Sequence, residues 1–497
     1  MRIAPPRWFN RNKKDGPAVR YYTRGWKGAA IDRLTADWQT SSLSADGELR
    51  DKLKILRARA RDLWMNDDYA KKYINMLSTN IIGPKGITLQ NKAGEWLNGK
   101  WVFDTVANRK IEDAFWDWGE KFCDVTGTLN WLALQRLVVE TVGRDGEIFI
   151  RKVPGFKNSY AFALQLLEAD YCPDEYNVAE LPGGNRVVMG VELDKWGRRV
   201  AYYFTAKHPG DGRYMFVNEK YIRIPANEVI HVYEKTRSSQ TRGVPWMATA
   251  MTRLKMLNAY EQAEVVAARA GAGKMGFFTQ EDGADGQKYT GDRVKDNGEI
   301  ISEFEPGVFE QLPPGFKFQG WDPQHPNANY GQFHKDILRS ISAGLGVSYN
   351  SLANDLESTS YSSGRIGILE ERDNWRKLQQ WIIADFHQKV FEPWLETAFL
   401  TPKLNLPAVK FDKFNSATWH ARGWDWVDPE KDANANIESI NFGLKTRTEV
   451  LAENGKDFTE HLEQLKEEKK AITDAGLEFK APGEKKEVET KTGGQEK

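Results

Sequence analysis

Cysteine is nearly missing: Cys123 and Cys172 are the two in 497 residues. Two thiols cannot build a disulfide framework or a cysteine-rich metal site, and they read as free, buried thiols of a reducing cytoplasm. Histidine is also sparse. The seven (His208, His231, His325, His334, His387, His420 and His461) include no pair with another His or a Cys at ligand spacing, and no His-Glu-x-x-His occurs. Neither a metal nor a cofactor is expected. No run of 18 apolar residues is present, so no helix is expected to span a membrane. The N-terminus lacks the apolar core of a secretory signal. Charge of one sign is not in excess either, with 70 Lys plus Arg against 70 Asp plus Glu. A tight nucleic-acid clamp shows a basic surplus, because phosphate neutralisation supplies most of its affinity. A DNA contact here would have to be a low-friction passage.

The usual signatures of catalysis are missing as well. There is no Gly-x-Ser-x-Gly elbow and no dinucleotide glycine motif after a strand. Gly83-Pro84-Lys85-Gly86 lacks the spacing of a phosphate loop and reads as a turn into a strand. In the stretch GAGKMG, Met275 stands where a magnesium-binding Ser or Thr is required. The carboxylate pairs Asp67-Asp68 and Glu370-Glu371 fit a helix cap and a solvated helix face. The chain is not expected to be an enzyme.

What is abundant is tryptophan, 18 in all, which suggests extensive packing or subunit interfaces. Residues 1–28 form a basic arm. Between Leu49 and Ile82 the positions Leu56, Ala60, Leu63, Ala70, Ile74, Leu77 and Ile81 step by three and four, with Asn66-Asp67 capping a second helix. Helical patterns follow at 109–124 and 128–144, with Trp116, Trp118 and Trp131 as core anchors. From Gly146 to Lys235 the pattern turns β-like, predicting a mixed sheet with a hairpin at Asp194–Gly197. Residues 242–272 predict a helix with Pro245 in its first turn and Met247, Met251, Leu254, Leu257 and Tyr260 on one face. Short strands and Gly-rich turns occupy 273–325. Then Phe333, Ile337, Leu338 and Ile341 mark another helix, ended by Gly344 and Gly346. A polar run, Glu357–Ser363, precedes a long helix that carries Ile368, Trp375, Leu378, Ile382 and Phe386 on one face and needs no break before Pro393. Two short helices are expected near 429–442 and 446–454, then a highly charged tail.

The runs SISAGLGVSYNSL and TSYSSGRIGILEERDNW resemble the signature of phage portal proteins of the lambda family. LRARARDLWMNDDYAKKYINMLSTNIIGPKGI, RGVPW with MLNAYEQAEVVAARAGAGKMGFF, and FNSATWHARGWDWVDPEKDANANIESINFGLKTRTEVLAENGKDF resemble the family's other segments, in the right order. The resemblance runs from about residue 50 to about residue 455 and leaves both tails out. It implies an α+β portal-type subunit: an α/β wing (29–245), a helical stem (246–275 and 327–349), a small β-rich clip (276–326), a tunnel loop (350–363), a long spine helix (364–400), and a wing return with helical crown (401–470), followed by a disordered tail (471–497).

It further implies a homododecameric ring at one capsid vertex, assembled in the host cytoplasm, through which double-stranded DNA is packaged and later ejected. The implied partners are the terminase large subunit, the major capsid and scaffold proteins and a head-tail adaptor, with no membrane. A non-channel assembly scaffold and a DNA-packaging enzyme are the alternatives. The residues singled out for the channel are Ser358, Thr359, Ser360, Ser362, Ser363 and Arg365, with Lys335 and Arg339 on the stem. Phe316, Phe318 and Trp321 are singled out for contacts between neighbouring clips.

Overall fold

A computed structural model describes Ala29, Arg33 and residues 36–211, 221–272, 276–280, 293–294, 300–301, 316–320, 329–357, 361–424, 429–453 and 458–476. Two compact units are present, Met1–Ser44 and Ala45–Lys497. The basic arm lies outside the described residues.

The second unit opens on helices α1 (Ala45–Leu49), α2 (Leu53–Asn66) and α3 (Asp68–Leu77). Asp67 breaks the line between α2 and α3: its backbone is extended and its side chain accepts from the Ala70 N–H at 2.8 Å. The stripe Ala60, Leu63, Ala70, Ile74 and Leu77 is buried, as its spacing requires. Strand β1 (Thr88–Asn91) follows the Gly83–Gly86 turn, then the hairpin β2 (Gly94–Leu97) and β3 (Lys100–Phe103), then helices α4 (Thr105–Lys121) and α5 (Trp131–Asp145). Trp118 and Trp131 are buried and Trp118 donates to the Phe162 carbonyl at 2.9 Å, but Trp116 is 65% exposed. Two positions along an α-helix turn by about 200°, so Trp116 and Trp118 cannot face one core.

Seven strands make up the region read as one mixed sheet: β4 (Ile148–Pro154), β5 (Phe162–Leu167), β6 (Arg186–Val188), β7 (Val191–Leu193), β8 (Arg199–Phe204), β9 (Ile222–Pro225) and β10 (Val229–Val232). They form two antiparallel sheets, ordered β10-β4-β5 and β6-β7-β8-β9. Short connections favour antiparallel neighbours, whereas parallel ones need a long crossover. The Asp194–Gly197 turn joins β7 to β8 as expected, with Gly197 at φ 78°.

Helix α6 (Met251–Ala272) starts later than its pattern suggested, because Gly243 and Pro245 lie in a turn pressed against Gly146. Strands β11 (Gly276–Gln280), β12 (Arg293–Val294), β13 (Ile300–Ile301) and β14 (Phe316–Gly320) pair as β11-β14 and β12-β13. Helix α7 (Tyr330–Leu345) ends at Gly346 in the left-handed region, and Gly344 stays helical.

After α8 (Tyr349–Ala353), helix α9 (Tyr361–Ile382) runs through a π-turn at Ile383–His387 into α10 (Gln388–Phe399). Trp375, Leu378, Ile382 and Phe386 are buried, while Ile368 is exposed near the N-terminal end of α9. Pro393 does not break α10. It removes one N–H, and burial of Val390, Phe391, Trp394, Leu395 and Ala398 on both sides holds the helix together.

The chain then returns. After α11 (Phe411–Phe414), strand β15 (Ala417–His420) pairs antiparallel with β1, Leu89 opposite Trp419. Helices α12 (Pro429–Asn441), α13 (Arg447–Glu453) and α14 (Phe458–Asp474) follow. The charged segment beginning near Glu460 is thus helical as far as Asp474, and the remainder of the expected tail, 477–497, lies outside the described residues. A single large core joins α2–α5, the start of α6, α7, α9, α10 and β15; a smaller one fills the space around Phe149, Tyr202 and Phe204. Cys123 and Cys172 are free and buried, and burial pushes their thiols up to about 12 and about 11.

Candidate functional site

The polar stretch is held from below by a set of local contacts. Ser348 caps α8 by accepting from the Ser351 N–H at 3.2 Å. Glu371 of α9 accepts from the Ser348 N–H at 3.2 Å and the Ser351 hydroxyl at 2.7 Å, and its other oxygen takes the Trp375 indole N–H at 3.1 Å. Glu371 is therefore a half-buried structural anchor, where the sequence reading expected a solvated helix face. Asn354 leaves α8 in the left-handed region and binds Lys72 of α3. Asp355 accepts from the Tyr349 hydroxyl at 2.7 Å and the Glu357 N–H at 3.1 Å, and pairs with Lys335 at 3.1 Å. The Tyr349 hydroxyl, the Glu357 N–H and the Lys335 ammonium hold its carboxyl at about 2.

Helix α8 runs to Ala353 and the chain is helical again from Tyr361, so residues 350–353 and 361–363 of the expected 350–363 loop lie in helices. Ser362, Ser363 and Arg365 occupy the first turns of α9, while Ser358, Thr359 and Ser360 lie outside the described residues. On α7, Lys335 pairs with Asp355 and Glu357, and Arg339 pairs with Asp336 at 2.8 Å while its guanidinium lies 5.4 Å from the Tyr349 ring. Both cations are thus matched by carboxylates of their own chain. Of the residues expected to make contacts between clips, Phe316 and Phe318 stand on β14 opposite Gln280 and Phe278, and Trp321 lies outside the described residues.

Helices α6 and α7 flank a groove of about 630 Å³ lined by Met256, Leu257, Tyr260, Phe333 and Ile337. Tyr260 stacks edge-on against Phe333 at 5.4 Å. Met256, Val265, Val266 and Phe333 are all more than half exposed.

The sequence reading missed a buried ionic joint. Glu147, immediately before β4, is fully buried among Arg57 of α2, His231 of β10 and Arg242 of the segment leading to α6. Its Oε1 takes Arg57 and the Arg242 Nε–H (2.8 Å); its Oε2 takes His231 Nε2 (2.8 Å) and the Gly243 N–H (2.7 Å). Burial alone would raise the Glu147 carboxyl, but the two guanidiniums and His231 hold it well below the usual carboxylate range. The remaining Arg242 N–H groups go to the carbonyls of Ala169, Cys172 and Met189. Nothing but a charged residue beside an apolar strand marks Glu147 in the sequence, and its partners lie up to 96 positions away.

Glu168, Asp170 and His208 also come together, with His208 Nε2 3.3 Å from Glu168 and 3.9 Å from Asp170. His208 Nδ1 accepts from the Gly210 N–H at 3.1 Å. Arg61 already holds Asp170. These are the contacts of an ion-pair cluster.

Comparison with known proteins gives this geometry a family. The profile described as phage portal protein, lambda family, matches residues 32–379. A probable portal protein of Halomonas phage phiHAP-1 is 35% identical over 461 residues, covering 92% of this chain and 88% of that protein. Portal protein B of Escherichia phage lambda is 24% identical over 487 residues, covering 90% of each. Among solved structures, a chain from the neck of an empty gene transfer agent particle aligns over 86% of this chain and 99% of its own, with a TM-score of 0.47 at 13% identity. A family profile over most of the chain, together with a relative at 35% identity along nearly its whole length, places this protein in the lambda family of phage portal proteins.

Proposed function

We propose that copies of this chain close into a ring of about twelve, by family resemblance, whose bore passes double-stranded DNA during packaging and ejection at one capsid vertex. The supporting observation is the α6–α7 pair. Met256, Val265, Val266 and Phe333 face water on a single chain, and neighbouring copies would cover them. Identical copies joined by one heterologous contact close into a ring when the rotation per copy permits.

The channel surface, on this reading, is polar and only weakly cationic. Lys335 and Arg339 have carboxylate partners, so they oppose DNA with little net charge. The hydroxyls of Ser358, Thr359, Ser360, Ser362 and Ser363 can hydrogen-bond phosphates briefly, and Arg365 adds one cation near the start of α9. The clip, with Phe316, Phe318 and Trp321, interlocks neighbouring copies. The motor subunit, the shell and scaffold proteins and a head-tail adaptor are the partners expected around such a ring.

The test is the length of DNA retained in particles assembled with variants. Deleting 358–360 keeps Tyr361 at the head of α9, so rings are expected to form while DNA packaging or retention falls. Arg365→Glu is expected to be worse than Arg365→Ala, because it adds repulsion to lost attraction. Full-length, stably held genomes in the deletion particles would refute the loop's role, and equal effects at Arg365 would refute its phosphate contact.

A further inference from the structure

The ionic joint poses an energetic question. Burying a carboxylate, two guanidiniums and an imidazole is expensive, and such groups often stabilise no better than well-packed apolar side chains would. This cluster is not optimised for stability either: Arg57 Nε and His231 Nδ1 are buried with no hydrogen-bond partner among the described residues. What buried ions supply that apolar groups do not is direction. Carboxylate and guanidinium hydrogen bonds accept one geometry, whereas an apolar contact tolerates slippage.

The elements joined here meet at one place in the chain. Glu147 fixes β4 to α2 through Arg57, to β10 through His231 and to the Gly243 backbone. Arg242 reaches the 169–172 segment and the β6–β7 turn. Just beyond lies the run into α6. There Gly243 is pressed so close to Gly146 that an added Cβ would sit 2.1 Å from the Gly146 carbonyl oxygen, and the Trp246 N–H binds the Gly143 carbonyl at 3.1 Å. Eight residues after Gly243, α6 begins, a helix of 22 residues. The ionic contacts therefore act on the direction in which α6 leaves the two sheets.

That direction has a large consequence in a closed ring. A twelve-membered ring turns by about 30° per copy and a thirteen-membered ring by about 28°. A rotation of roughly 2° at the root of α6 moves its far end, roughly 33 Å away, by about 1 Å. An angular error of that size separates one copy number from the next.

We propose that the Arg57–Glu147–Arg242 joint is a positioning device that sets the angle between the sheets and α6, and thereby the number of copies in the ring. The inference rests on the ring reading above. Arg57, Glu147, His231 and Arg242 are positioning residues; none is assigned a contact with DNA.

The test is the copy number of purified rings, counted by native mass spectrometry and end-on electron microscopy. Glu147→Gln keeps the shape of the side chain but replaces one carboxylate oxygen by an amide NH₂ that cannot accept a hydrogen bond, and its rings are expected to spread over two or more copy numbers. Arg57→Met is the milder variant, since Arg242 and Gly243 keep their carboxylate; it is read if Glu147→Gln does not fold, and a smaller spread is expected. Leu395→Ala, buried in α10 and not one of the joint's ion-pairing residues, is the control for general destabilisation and is expected to give one copy number, that of the unaltered chain. A single unchanged copy number in the folded joint variants overturns the inference, as does an equal spread in Leu395→Ala. An unaltered chain that forms no ring overturns the ring reading itself, a result distinguishable from the other two.

Discussion

Arg242 donates its Nε–H to Glu147 Oε1 at 2.8 Å, and both side chains are wholly removed from water. Losing one partner would leave the other as a buried charge short of hydrogen bonds. Arg242→Ala is therefore expected to destabilise the fold by about 3–5 kcal/mol. Arg237→Ala, which breaks a half-exposed pair with Glu48, is expected to cost under about 1 kcal/mol. Denaturant unfolding of the two variants checks the contrast, and similar losses would show that the burial of the first pair has no energetic meaning.

The long helix offers the same contrast with apolar groups. Leu378 and Ile382 are buried, whereas Lys377 projects into solvent and reaches Glu234 at 3.3 Å. Truncating either apolar residue to Ala is expected to cost about 2–5 kcal/mol. Lys377→Ala is expected to cost under about 0.5 kcal/mol. Equal sensitivity in unfolding measurements would mean that the helix packs on another face.

Two glycines differ by what would meet an added methyl group. At Gly143 a Cβ would lie 2.2 Å from Leu77 Cδ1, the far end of a buried side chain that would have to repack while the backbone stays in place. At Gly243 it would meet the Gly146 carbonyl at 2.1 Å and cannot be accommodated without moving the backbone. Gly143→Ala is expected to fold with a small loss of thermal stability, offset in part by its better helix propensity. Gly243→Ala is expected to lose far more, and a melting temperature as high as that of Gly143→Ala would contradict the close approach.

Acid should weaken the core through its histidines. His387 is buried in the π-turn, 3.1 Å from Gln135 Oε1 and 3.2 Å from the Ile382 carbonyl, and burial pushes its pKa down to about 4. A histidine kept neutral in the fold but free to protonate when unfolded contributes stability that is complete above pH 6.5 and declines as pH falls toward 4. The slope is about 1.4 kcal/mol per pH unit for one such group. In His387→Gln that part of the pH dependence should disappear. An unchanged dependence between pH 6.5 and 4 would show that His387 does not carry it.

How much could be read from the sequence depended on whether a signal was local. The α2–α3 stripe, the Asp67 cap, the Asp194–Gly197 turn and the buried face at Trp375–Phe386 are set by residues a few positions apart, and each was legible. Trp116 and Ile368 were misplaced because an apolar residue near a buried stripe need not lie on it. Sheet organisation and the β1–β15 pairing were beyond local reading, since strand partners here can be more than 300 positions apart. The ionic joint was hidden for the same reason: a carboxylate becomes a structural centre only when three distant segments bring it donors. At the polar stretch, composition gave the hydroxyl-rich run, but the start of α9 at Tyr361 was not marked by any break in it.

The central claim is that identical copies of this chain close around a hole. End-on electron micrographs of the purified protein test it most directly. Closed rings with a central hole and about twelve-fold symmetry are expected. A stable monomer at micromolar concentration, with no ring species in the images, would contradict the account.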